Sequence, residues 1–109
     1  MKERTVEFAP EAVDDLVQLY DWIATAASPE TAIGYIDRIE AHCRRMGLAS
    51  ERGHRRDDIR PGLRIVGFER RVTIAFTVSE TRVTILRLFY GGRNWEALFE
   101  PEAGKLSER

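Results

Sequence analysis

LRIVGFERRVTIAFTVSETRVTILRLFYGG, residues 63–92, decides the architecture. It holds three runs, Leu63–Phe68, Arg71–Val78 and Arg82–Tyr90. Glu69-Arg70 and Ser79-Glu80-Thr81 between them are short enough for hairpin turns, although neither is Asn-Gly. In the middle run Val72, Ile74, Phe76 and Val78 alternate with Arg71, Thr73, Ala75 and Thr77, the period of a strand with one well-buried face. The last run is apolar on both sides, with Val83, Ile85 and Phe89 on one and Leu86 and Leu88 on the other. That pattern belongs to a central strand, which Gly91-Gly92 then ends.

Upstream of this meander the period changes. Thr5-Val6-Glu7-Phe8 alternates and reads as a short strand. Pro10 suits the first turn of a helix, and Glu11, Asp14 and Asp15 favour the positive end of its dipole. Val13, Leu16, Val17, Tyr20, Ile23, Ala24 and Ala27 follow at helical spacing, giving an amphipathic helix over about residues 10–27. Ser28 is a suitable N-cap and Pro29 a suitable first residue for a second helix. Its stripe is Ala32, Ile36, Ile39, Cys43 and Met46, and Gly47 supplies a stop. Gly34 inside it costs about 1 kcal/mol relative to Ala unless it lets the first helix approach closely. Residues 50–62 are polar, arginine-rich and long for a connection, and read as an ordered loop. The order is strand, helix, helix, strand, strand, strand: an α+β domain with a helical hairpin on one face of a mostly antiparallel sheet. Residues 1–100 form the single domain, Arg93–Phe99 is a short helix or docked arm, and residues 101–109 are a frayed tail.

Composition narrows the function classes. The chain has 109 residues, 43% hydrophobic and 32% charged, as an ordinary globular domain does. No apolar run reaches a membrane span and the N-terminus has no signal-peptide core, so a cytoplasmic protein with no membrane partner is expected. One cysteine and two histidines leave no structural zinc set, and no metal or cofactor is expected. The net charge of −1 hides an asymmetry, because residues 1–49 carry five Lys/Arg against nine Asp/Glu while residues 50–109 carry twelve against nine. The basic half lies far below the footprint of a nucleic-acid-binding domain.

Four phrases carry a likeness to a known family. They are Val6-Glu7-Phe8-Ala9-Pro10-Glu11-Ala12 with Asp15-Leu16; Tyr20-Asp21-Trp22-Ile23-Ala24; Gly53-His54-Arg55-Arg56-Asp57-Asp58-Ile59-Arg60-Pro61-Gly62-Leu63-Arg64; and Val83-Thr84-Ile85-Leu86-Arg87-Leu88-Phe89-Tyr90-Gly91-Gly92-Arg93. Together they resemble the RelE/ParE toxin superfamily of type II toxin–antitoxin modules, the ParE branch most closely. ParE-like chains commonly read Leu-His-Gly-Ala-Arg where this one has Phe89-Tyr90-Gly91-Gly92-Arg93, so Tyr90 replaces a histidine. The resemblance implies a plasmid-stabilising toxin that poisons DNA gyrase by binding. It also implies neutralisation by a ParD-like ribbon-helix-helix antitoxin, through which alone the complex meets operator DNA. The RelE branch implies the alternative, a ribosome-dependent mRNA endoribonuclease.

Residue roles divide the same way. Cutting RNA through its own 2′-hydroxyl needs a base, an acid and charge stabilisation. Arg64 and Arg87 could supply the last by converging on a phosphate, and Tyr90 could move a proton. However, a phenol with an ordinary pKa near 10 is a poor base. No lysine lies between Lys2 and Lys105, so the lysine-rich centre of ribosome-dependent relatives is missing. Without catalysis, Arg87, Arg93, Trp95 and Phe99 are the target-binding candidates, and Arg55, Arg56, Arg60, Arg64 and Trp22 the antitoxin-binding ones. Each has a plainer reading. Arg87 could be a structural ion pair with Asp57, Asp58 or Glu69, the arginine loop a solvated surface, and Trp95 and Phe99 a cover for the sheet edge. Trp22 reads equally as packing, His42 and His54 as solvated residues, and Cys43 as core.

Overall fold

Two prolines and a serine place the helices where their patterns begin. The computed structural model describes residues 3–48 and 50–91. Strand β1 (Thr5–Phe8) runs into α1 (Pro10–Ala26), with Pro10 in the first turn. Ser28 Oγ then accepts the Thr31 N–H at 3.1 Å and opens α2 (Pro29–Arg45). This satisfies one of the helix's orphan donors, as an N-cap should. The helix ends short of Gly47, whose reason for being glycine is different: a Cβ there would collide with the Arg4 carbonyl oxygen of the incoming N-terminal segment. Arg4 N–H donates to the Gly47 carbonyl at 2.8 Å, so the chain ahead of β1 is laced to the end of α2. A Cβ at Gly34 would meet nothing within 4 Å among the described residues, so no close approach there offsets its cost in the helix.

The remaining strands are β2 (His54–Arg55), β3 (Arg64–Phe68), β4 (Val72–Val78) and β5 (Arg82–Tyr90), in a five-stranded sheet of order β1-β5-β4-β3-β2. All pairs are antiparallel except β1 with β5. The doubly apolar last run is thus a central strand along its first half, flanked by β1 and β4. Strand β2, two residues long, lies within the stretch that reads as loop; it is too short to show an alternation. The β3–β4 turn has Glu69 and Arg70 both at positive φ (51° and 63°) and is closed by the Arg71 N–H to the Phe68 carbonyl at 3.1 Å. Arg38 on α2 holds Glu69 through two hydrogen bonds of 3.1 and 3.3 Å, tying this strained turn to the helical hairpin.

Two face assignments differ from the sequence pattern. A β-bulge interrupts the β4–β5 ladder at Ala75/Phe76, so the inward set of β5 is Val83, Ile85 and Leu88. Leu86 and Phe89 face the other side, around Leu63 and Ala75. One extra residue in a strand moves every later side chain to the opposite face. In α1 the buried residues are Ala12, Leu16, Leu19 and Ile23, whereas Val13 and Val17 are 46% and 54% exposed. In α2 Tyr35 is buried and Ile36 only partly so. The main core joins both helices to one sheet face; the second face holds a smaller cluster on which Ile59 of the 50–62 stretch packs. The proposed arm Arg93–Phe99 and tail 101–109 lie outside the described residues.

His42 is not a fully solvated helix residue. Its ring lies 5.2 Å from that of Phe68, and its buried Nε2 has no hydrogen-bond partner among the described residues. Burial, helped by Arg45 and Arg52, pulls its pKa below the ordinary 6.5. The folded chain then binds fewer protons than the unfolded chain below about pH 6.5, so stability is kept above that value and lost as the pH falls towards the folded one. The urea midpoint is expected to drop between about pH 7.5 and about pH 5.5, and to drop less in His42→Phe. An equal fall in both proteins would remove His42 from the account. Asp57 and Asp58 do not confuse this window, because their pKa values are lowered from 3.8.

Candidate partner-binding surfaces

Arg87 is a paired arginine, and its partner is none of Asp57, Asp58 or Glu69. It makes two hydrogen bonds to Asp15 of α1, Nε to Oδ2 at 2.7 Å and Nη2 to Oδ1 at 3.0 Å. The same Oδ2 accepts the Leu88 backbone N–H at 2.9 Å. The reason lies in the topology. Strand β1 ends at Phe8, opposite Ile85, so the second half of β5 is paired with β4 on one side and has no strand on the other. Asp15 takes the place of that strand at Leu88 and fixes α1 to the sheet. The hydrogen bond to Asp15 raises the Arg87 pKa still further, so this guanidinium is always charged.

The sheet register separates Arg64 from Arg87. Arg64 stands opposite Phe76 and Arg87 opposite Ala75, and neighbouring residues of β4 point to opposite faces. The expected convergence of the two on one phosphate is therefore not found. Arg64 donates to the Arg52 carbonyl at 3.3 Å and lines a polar hollow of about 210 Å³ with Arg4, Arg55 and Glu51.

Most of the arginine loop is internally paired. Arg55 meets Asp57 at 3.1 Å, and Asp57 Oδ1 accepts the Gly62 N–H at 2.8 Å, which lowers the Asp57 pKa more than the arginine does. Arg56 grips Asp58 through two hydrogen bonds of 3.0 and 2.9 Å, and this lowers the Asp58 pKa. These pairs are exposed and contribute little to stability; what they do is hold the loop in one shape. Arg60 is exposed and makes no side-chain hydrogen bond or ion pair among the described residues. His54 is exposed on β2. Cys43 is fully buried and its thiol is pushed up to about 12 by burial, which makes it core and not a nucleophile.

Trp22 is 55% exposed and its ring stacks obliquely on Tyr90, 4.9 Å between centroids. The pair unites two residues that the sequence assigned to different roles. Arg71 donates to the Tyr90 hydroxyl at 3.4 Å. Of the remaining target-binding candidates, Arg93, Trp95 and Phe99 lie outside the described residues. Among the described residues no three His, Cys, Asp or Glu side chains are grouped to hold a metal, and no helix is long and apolar enough to cross a membrane.

What the sequence missed is an apolar groove of about 320 Å³ between the helices, lined by Phe8, Val13, Leu16, Val17, Tyr20, Ile36 and Glu40. Its signal was an excess of apolar residues on α1, more than one buried stripe needs.

Sequence comparison matches residues 6–95 to the family described as ParE toxin of type II toxin-antitoxin system, parDE. The chain belongs to the ParE toxin family. Among solved structures it is similar to a chain of the chromosomal ParDE toxin–antitoxin system from P. aeruginosa, with a TM-score of 0.71 and 23% identity over 82% of this chain and 97% of that one. It is also similar to a chain of the RelBE2 toxin–antitoxin complex from Mycobacterium tuberculosis, at a TM-score of 0.55 and 19% identity over 85% and 97%. At these identities the likeness is one of fold. No curated protein matches the chain. As a ParE-family protein this is a toxin of a type II toxin–antitoxin system.

Proposed function

We propose that this toxin acts by binding, with DNA gyrase as its target, and that a ParD-like ribbon-helix-helix antitoxin neutralises it. Operator DNA enters only through that antitoxin, and the compartment is the cytoplasm. The observation that carries the reading is the Arg87–Asp15 pair: the arginine best placed to neutralise a phosphate is held by two hydrogen bonds on the far side of the sheet from Arg64. A transition state needs preorganised charge free to meet it, and here that charge is already neutralised. The antitoxin reading is supported by the groove beside Val13 and Val17, which suits the apolar face of a helix. Arg60 and Arg64, which have no carboxylate partner among the described residues, do not line that groove and suit acidic side chains on another stretch of the antitoxin.

Two assays on one preparation test this. Purified toxin is expected to stop gyrase supercoiling and to accumulate cleaved DNA, while leaving messenger RNA on ribosomes intact. Made alone in cells, it is expected to cause filamentation and growth arrest. Codon-boundary cleavage of transcripts with normal supercoiling would overturn the reading in favour of a RelE-like nuclease. Unaffected growth would mark a remnant that retains only antitoxin binding.

A further inference from the structure

The Trp22–Tyr90 pair divides two hollows. On one side lies a cleft of about 260 Å³ running along Asp15 and the open edge of β5 beyond the end of β1. On the other, a cavity of about 450 Å³ opens between the end of α1, the start of α2 and the β3–β4 turn. Trp22, Ile23 and Tyr35 form its apolar floor, and Arg38, Glu69 and Arg71 form its rim.

The polar groups of this cavity are unevenly satisfied. Arg38 and Glu69 neutralise each other. Arg71 does not share that arrangement: it meets the Tyr90 hydroxyl at 3.4 Å and has no carboxylate within ion-pair distance among the described residues. Tyr35 is 8% exposed, and its buried hydroxyl has no hydrogen-bond partner among the described residues. A native structure seldom leaves a buried hydroxyl idle, because an unmade bond costs more than a made one gains. Among the described residues the cavity therefore offers one cation outside any ion pair, one unbonded hydroxyl and a wide aromatic surface.

That combination selects a ligand. A polyphosphate or nucleic-acid backbone needs several cations, and the Glu69 carboxylate on the rim would repel a dianion. A single carboxylate attached to an apolar body satisfies every group present. We propose that this cavity seats an acidic peptide segment of a protein partner, with a Leu or Phe side chain against Trp22 and a neighbouring carboxylate on Arg71. Aromatic surface supplies the contact area and the charge-assisted hydrogen bond sets the register. The Tyr35 hydroxyl contributes a further hydrogen bond to the same segment. The inference does not depend on which macromolecule the toxin poisons.

The test uses the full chain carrying Trp95→Phe, so that tryptophan emission comes from Trp22 alone. The probes are an acetylated, amidated octapeptide with a central Leu-Phe-Glu, its Leu-Phe-Gln counterpart, and a single-stranded oligonucleotide. The Glu peptide is expected to change Trp22 emission saturably and to bind about tenfold more tightly than the Gln peptide. Arg71→Gln is expected to erase that difference, and Tyr35→Phe to weaken both peptides about threefold. Circular dichroism confirms that each variant is folded, and Tyr35→Phe, which only removes an oxygen, tests the site even if Arg71→Gln fails that check. Equal binding of the two peptides, no saturation by either, or tighter binding of the oligonucleotide would each overturn the proposal.

Discussion

Asp15→Ala is expected to lower the free energy of unfolding by about 3 kcal/mol, a large part of what a domain of this size possesses. The side chains of Arg87 and Asp15 are 25% and 10% exposed, so this is a largely desolvated pair and not a surface bridge. Removing the carboxylate leaves a part-buried guanidinium without its two hydrogen bonds and an unpaired Leu88 N–H on a strand edge. Removal of one member of a buried pair costs about 3–5 kcal/mol, and the access of water to Arg87 places this case near the lower bound. Arg87→Ala is expected to cost about half as much, because Asp15 keeps its bond to Leu88 and is better reached by water. The double variant should then lose less than the sum, with a coupling of about 1–2 kcal/mol in urea melts. At about 4–8 °C per kcal/mol, Asp15→Ala also lowers Tm by more than about 10 °C. A loss below about 1 kcal/mol would mean that α1 is held to the sheet by packing alone.

The Asp15–Arg87 pair also shows where sequence reading stops. The residue type was legible, since an arginine in an otherwise apolar strand must be paired or aimed at an anion. The partner was not, because it lies 72 positions away on another element and only the tertiary arrangement brings it near. Helix boundaries followed from Pro10, Ser28 and Pro29, residues whose backbone chemistry is local. The central place of β5 in the sheet followed from the doubly apolar pattern of Arg82–Tyr90. The bulge did not, since it leaves no composition signal, and strict alternation therefore assigned Phe89 and Leu88 to the wrong faces. The interplay of Tyr35, Arg38, Glu69 and Arg71 was likewise invisible: it depends on a turn meeting two helix ends, and no spacing along the chain encodes that.

The second large effect concerns α1, whose apolar residues exceed what the core can use. Ala12, Leu16, Leu19 and Ile23 face the sheet, and Val13 and Val17 stand on a different side, about half exposed. A periodicity argument sees one broad stripe and cannot divide it. The physical meaning differs sharply between the halves, because a buried stripe stabilises the fold whereas an exposed one waits for a partner. Val17→Asp together with Val13→Asp is therefore expected to leave the stability of the toxin within about 0.5 kcal/mol, as surface substitutions usually do. The same change puts two carboxylates into the groove beside Glu40, where a docking helix would have to bury them unpaired. Affinity for the co-expressed antitoxin is expected to fall by about a hundredfold or more, since a desolvated hot spot costs about 2–4 kcal/mol. In cells that make both proteins this appears as restored growth arrest, and in vitro as a complex that separates on gel filtration. Ile33→Ala, half exposed on α2 and outside the groove, serves as the contrast: it should leave the complex far less affected if the valines are the anchor. Full neutralisation of the valine double variant would put the antitoxin elsewhere, with the Arg60 and Arg64 surface next in line.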